Sequence, residues 1–119
     1  MRSIKKLLLS TVVGSMLTIG FAQANSDLVK QGEKVFNTKN LGNCLACHAV
    51  SGKSIDGPGS MGPNLVGLKY WDEQTLYDTV YDIYSARQIE NTSMPAFGKS
   101  GWLSDNQIKA VVAYLKTIE

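Results

Sequence analysis

Cys44-Leu45-Ala46-Cys47-His48 places two thiols and an imidazole within five residues, and the reading of this stretch decides the fold. If it closes one helical turn, positions i, i+3 and i+4 share a face, so both sulfurs reach the two vinyl groups of a haem while the His48 imidazole reaches its iron. These are the only two cysteines and the only histidine of the chain. A structural zinc site needs four ligands, usually a second Cys or His pair, and there is no further residue of either type to supply it. A thioredoxin-like pair also uses Cys-x-x-Cys, but at the start of a helix in a βαβ unit, and no β-branched strand run flanks this motif. Covalent haem attachment ranks ahead of a disulfide or a metal pair.

Upstream, Met1 to Ala24 has a basic start (Arg2, Lys5, Lys6), an apolar stretch over Leu7–Phe21 and a small-x-small end at Ala22-Gln23-Ala24. This pattern is that of a cleaved signal peptide, residues 1–24. The stretch is short for a membrane span and is diluted by Ser10, Thr11, Gly14, Ser15 and Thr18, so an uncleaved anchor is the lesser reading. Export to the periplasm and a single domain over 25–119 are expected, with no membrane attachment after cleavage. The twelve Lys and Arg against ten Asp and Glu give the whole chain a formal +2. Losing the leader removes three bases and no acid, leaving nine against ten, a formal −1. The apparent basicity belongs mostly to targeting, and net charge points to neither a nucleic-acid groove nor a strongly basic docking face. A domain this small buries a limited core, so a large flat cofactor at its centre would supply much of what is missing.

The periodic segments are helical. Asn25 or Ser26 can cap a helix in which Leu28, Gly32, Val35 and Phe36 share a face. Asp72 can cap a second, with Leu76, Val80 and Ile83 on one stripe and Tyr77, Tyr81 and Tyr84 on the next. Ser104 with Gln107 makes a capping box for a last helix whose apolar face is Ile108, Val111, Val112 and Leu115. Loops rich in glycine and serine lie between, at 51–62 and 91–101. An all-α fold of a few short helices wrapped around one cofactor is expected.

With His48 on one side of the iron, a neutral thioether on the other is a common way to hold a haem that carries electrons. Met1 and Met16 belong to the leader, leaving Met61 and Met94. Met61 is thirteen residues after His48 and just before Gly62-Pro63, on the His48 side of the ring. Met94 begins a Met-Pro step in which Pro95 restrains the loop. Met94 is the expected axial ligand opposite His48, against the alternative that it only fills the core. A ligating imidazole donates its other N–H to a fixed acceptor, and the Pro63 carbonyl is the candidate, against a plain turn in Gly62-Pro63-Asn64.

The segments Gly42–His48 (GNCLACH), Gly62–Leu68 (GPNLVGL), Ser93–Gly98 (SMPAFG) and Ala110–Leu115 (AVVAYL) together resemble a class I cytochrome c. The resemblance implies one covalent haem c, held by thioethers from Cys44 and Cys47. It also implies that the first and last helices cross through Gly32, Phe36 and Tyr114, and that Pro63 accepts the hydrogen bond from the haem histidine. Within the class, the run Asn91–Gly98, ahead of Leu103-Ser104-Asp105 and Val111–Leu115, is similar to the SoxX group of sulfur-oxidation cytochromes. That likeness implies a heterodimer with a larger haem subunit, SoxA. It also implies transient contact with the carrier SoxYZ and with a cytochrome c acceptor. On this reading SoxA holds the site that joins thiosulfate to a carrier cysteine, and the present chain moves electrons. The chain offers no free cysteine beyond the motif, no second histidine and no nucleophile–base pair for covalent catalysis. A free monohaem shuttle and a cytochrome subunit of another redox enzyme are the alternatives.

Tyr70, Trp71 and Arg87 carry donors that suit haem propionates, although each is equally at home in packing or at the surface. Tyr77, Tyr81 and Tyr84 read as core and rim rather than as an electron path. Lys99, five residues past Met94, is a remote candidate to replace it on iron at alkaline pH. Ser51–Ser60 reads as a flexible solvated loop.

Overall fold

The computed structural model describes residues 25–119. The leader expected at 1–24 lies outside the described residues. Four α-helices are described: α1 over 25–37, α2 (Glu73–Tyr81), α3 (Ile83–Arg87) and α4 (Asp105–Leu115). Two 3₁₀ turns, Cys44–Ala46 and Leu68–Tyr70, sit in the long connection between α1 and α2. No strand is present among the described residues; one isolated parallel bridge pairs Val50 with Leu65.

The two expected caps are built as their side chains dictate. Asp72 Oδ2 accepts from Thr75 N at 3.0 Å and starts α2. Ser104 Oγ accepts from Gln107 N at 3.2 Å while Gln107 Oε1 accepts from Ser104 N at 2.9 Å, a closed capping box at the head of α4.

α4 is the element on which the rest is assembled. Ile108, Ala110, Val111, Val112, Tyr114 and Leu115 are all buried, so its apolar stripe is wide enough to meet neighbours on more than one side. α1 crosses it at Gly32, where a Cβ would collide with the Ala110 carbonyl. Phe36 and Tyr114 close the crossing with ring centroids 5.2 Å apart and planes tilted by 58°. That tilted contact suits the quadrupoles of two rings, and full burial of Phe36 stabilises by roughly 1.5–3 kcal/mol. α2 packs on α4 through buried Leu76 and Val80, and Tyr77 Oη donates to Asp105 Oδ1 at 2.6 Å at the head of α4.

The single long helix expected from Leu76, Val80 and Ile83 is two helices. Asp82 takes an extended backbone, φ −154° and ψ 90°, ending α2 and opening α3. Its carboxylate accepts from Ser85 Oγ at 2.9 Å, a local bond that competes with helix continuation. Tyr77 and Tyr81 stack at 6.0 Å on α2, whereas Tyr84 lies beyond the break and donates to the Thr92 carbonyl at 3.1 Å.

The glycine-rich loop is held more firmly than its composition suggests. Gly59 N donates to Leu45 O at 2.9 Å, Gly62 N to Cys47 O at 2.8 Å, Leu65 N to Ala49 O at 2.8 Å and Ser51 N to Leu65 O at 2.9 Å. The two ends of the loop, at Ser51 and over 59–65, are thereby laced to each other and to the motif segment. At Gly59 a Cβ would run into the Ala46 carbonyl, so only glycine admits this approach.

Candidate haem site

The motif closes the expected turn. Cys47 N and His48 N both donate to Cys44 O, at 3.1 and 2.9 Å, which brings Cys44, Cys47 and His48 round to one side. Asn43 starts the turn in the left-handed region, φ 49°, where asparagine is among the better tolerated residues. All three donor residues are half-buried.

His48 is held from two directions. Its Nδ1 lies 2.7 Å from the Pro63 carbonyl, so the nitrogen carries the proton and donates, leaving Nε2 with a free lone pair. Gly62 lies flat against the ring, where a Cβ would approach Nδ1 to 2.7 Å and Nε2 to 2.9 Å. The lacing bond from Gly62 N to Cys47 O is what delivers the Pro63 carbonyl to this place.

The two methionines stand in different surroundings. Met61 is 73% exposed, whereas Met94 is half-buried and packed against the hydrophobic core cluster that also receives Cys44 and Leu41. The loop carrying Met94 is tied at several points. Met94 N donates to Thr92 Oγ1 at 3.1 Å. Gly98 N and Lys99 N both donate to Tyr81 O, at 3.0 and 3.1 Å, and Leu103 N donates to Phe97 O at 3.0 Å. Gly98 leaves no room for a Cβ against the Tyr81 ring.

Of the other candidates, Trp71 and Arg87 are brought together, the guanidinium 5.1 Å from the ring centroid. Tyr70 is 81% exposed and lies under Lys69 Nζ. Lys116 Nζ donates to the Lys69 and Trp71 carbonyls, fixing the segment to the end of α4. Lys99 Nζ is engaged by Asp82 at 3.4 Å. Sequence reasoning passed over Gly62, Asp82, Thr92 and Trp102, whose indole Nε1 donates to Leu41 O at 2.6 Å. Gly62, directly before the carbonyl that accepts from the imidazole, carried a readable signal, and so did Asp82 with Ser85 three residues on.

Burial pushes the free Cys44 thiol up to about 12, and the neighbouring Cys47 adds to the shift against the opposing pull of a backbone hydrogen bond.

Comparison with known proteins places this geometry in a class. The family model described as cytochrome c oxidase, cbb3-type, subunit III matches residues 27–115, and the chain belongs to this cytochrome c family. A chain in the crystal structure of SoxXA from P. pantotrophus superposes with a TM-score of 0.64 at 32% identity, over 74% of this chain and 79% of that one. Cytochrome c6 of Leptolyngbya boryana is 37% identical over 84 residues, 71% of this chain and 85% of that protein. An uncharacterized lipoprotein of Aquifex aeolicus is 37% identical over 76 residues, 62% of this chain, and the match spans only 35% of that protein. The protein is a class I cytochrome c of all-α fold that resembles SoxX. The donor set fits the haem c this membership implies: two thiols on one turn and an imidazole whose Nδ1 is already committed to a carbonyl. Its role is electron transfer through a single haem. Among the described residues no helix is long and apolar enough to cross a membrane.

Proposed function

We propose that this chain is the SoxX-like electron-transfer subunit of a SoxAX complex in the periplasm, reached by cleavage of the leader at 1–24. The observation that carries the reading is the likeness to a chain of SoxXA at a TM-score of 0.64 and 32% identity. On this reading a SoxA-like haem subunit is the stable partner. Thiosulfate and a cysteine thiol of the SoxYZ carrier join by a sulfur–sulfur bond, releasing one proton and two electrons. The present chain accepts those electrons one at a time and hands them to a cytochrome c acceptor.

Haem, when bound, supplies the one-electron couple, its iron alternating between ferric and ferrous. The chain's residues set the terms on which that happens. Cys44 and Cys47 would hold the macrocycle by thioethers. His48 Nε2 would bind the iron, with the Pro63 carbonyl holding the proton on Nδ1 and raising the basicity of the ring. Met94 would supply the second protein ligand to the iron, and a soft thioether favours the ferrous state. Tyr70, Trp71 and Arg87 would offer hydrogen-bond donors to the propionates, with Arg87 and Trp71 held in one stack.

A second reading, a free monohaem carrier with no enzymatic partner, draws support from the likeness to cytochrome c6 over 85% of that protein. Native mass spectrometry of tagged protein purified from its own periplasm separates the two, reading total mass and haem count together. A one-to-one complex with a larger haem protein, active in conjugating thiosulfate to a carrier thiol, is the expected result. A lone monohaem chain would overturn it in favour of the carrier.

A further inference from the structure

Asp82 is the one buried acidic residue among those described, 7% exposed, and it lies at the α2–α3 break rather than at the haem motif. One carboxylate oxygen, Oδ2, accepts from Ser85 Oγ at 2.9 Å and faces Lys99 Nζ at 3.4 Å. The other, Oδ1, is buried without a hydrogen-bond partner. A carboxylate half-satisfied in this way costs stability unless the charge does something for its neighbours. The neighbour it reaches is the far arm of the loop that carries Met94.

That arm meets the break at consecutive points. The Tyr81 carbonyl, one residue before Asp82, receives both Gly98 N and Lys99 N. The Gly98 backbone lies against the Tyr81 ring with no space for a side chain. Lys99 then extends its ammonium to Asp82. On the near arm, Tyr84 of α3 donates to Thr92 O, and Thr92 Oγ1 accepts from Met94 N. Both arms of the loop are thus fastened to the two helices that Asp82 separates.

We propose that Asp82 is a positioning residue for the Met94 thioether, acting through Lys99 as a clasp that limits how often the loop opens. The inference rests on Met94 being the axial ligand. The clasp acts on the population of the open loop: each opening exposes the sixth position to exogenous ligands, so the apparent affinity of such a ligand is scaled by the fraction open. Lys99 is 68% exposed at its side chain and Asp82 only 10%. The pair is therefore screened on one side and desolvated on the other, and its loss is expected to raise the open fraction about tenfold.

The test is titration of the ferric holoprotein with imidazole, followed by the near-infrared sulfur-to-iron band, in Asp82→Asn, Lys99→Gln and the double variant, with Met94→Ala alongside. The expected result is that each single variant keeps the band, binds imidazole about tenfold more tightly than the parent, and gains little more in the double variant. Unchanged imidazole affinity in both single variants, with the band lost in Met94→Ala, overturns the clasp alone. Effects that multiply in the double variant overturn it too, since they mean that the two side chains act separately. A band that survives Met94→Ala overturns the ligand assignment beneath it. A purely structural role for Asp82 would lower the melting temperature without altering imidazole affinity at a temperature where the protein is folded.

Discussion

His48 Nδ1 donates to the Pro63 carbonyl at 2.7 Å, across fifteen residues of chain. The bond exists because Gly62 N is fastened to Cys47 O and because Gly62 has no side chain to push the imidazole away. Gly62→Ala is expected to force the ring out of this position, lowering the yield of holoprotein and destabilising what accumulates by roughly 1–3 kcal/mol. Pro63→Ala keeps the carbonyl and is expected to keep the haem. Haem content and urea melts of the two variants check this; a fully loaded Gly62→Ala protein of parental stability would contradict it.

The α1–α4 crossing makes a second prediction. Gly32 faces the Ala110 carbonyl with no room for a Cβ, and Phe36 is fully enclosed beside Tyr114. Phe36→Ala is expected to cost roughly 3–5 kcal/mol through lost burial and the cavity left behind. Gly32→Ala, despite the better helix propensity of alanine, is expected to destabilise rather than stabilise. Denaturant midpoints at constant m-value decide both, and a stabilised Gly32→Ala would show that the helices have room to separate.

Tyr77 and Asp105 couple α2 to α4 in a way that depends on pH. The hydrogen bond to Asp105, aided by partial burial, pushes the Tyr77 hydroxyl up to about 12 from 10.0. The Tyr77 bond first, and Lys109 after it, hold the Asp105 carboxyl below its ordinary value. The Asp105 contribution is present above the ordinary carboxylate value and lost as pH falls through the lowered folded one. The Tyr77 contribution is present below about 10 and lost as pH rises through about 12. Tyr77→Phe is therefore expected to lower the melting temperature at neutral pH, with the gap to the parent closing toward either extreme. A gap that holds constant across the range would detach the effect from this bond.

Part of this architecture was legible from residue types alone, because side chains themselves make the feature. Cys44, Cys47 and His48 imply their turn by spacing, Asp72 and Ser104 cap by hydrogen bonds their own oxygens accept, and Gly32, Phe36 and Tyr114 meet as the family resemblance implied. The break at Asp82 was not read, since Leu76, Val80 and Ile83 satisfy a helical stripe whether or not the backbone is continuous. The trace it left was Asp82 followed three residues later by Ser85, which now bonds it. The lacing of 51–65 was invisible for a plainer reason: its bonds run between backbone groups, which every residue except proline carries alike.

The haem is expected to be part of the core. A Cys44→Ala/Cys47→Ala chain, which attaches no haem, is expected to lose most of its helical signal and its cooperative melt. Far-UV circular dichroism reads this directly, and a fully helical, cooperatively melting apoprotein would show that α4 and its neighbours suffice without the cofactor.

Whether one haem would be held between His48 and Met94 is decided by the spectrum of Met94→Ala. In this variant haem is expected to stay covalently bound through Cys44 and Cys47, with the near-infrared sulfur-to-iron band gone and carbon monoxide binding to the reduced protein at the opened position. A variant that stayed six-coordinate with a methionine-like spectrum and refused carbon monoxide would contradict this and move the ligand to Met61.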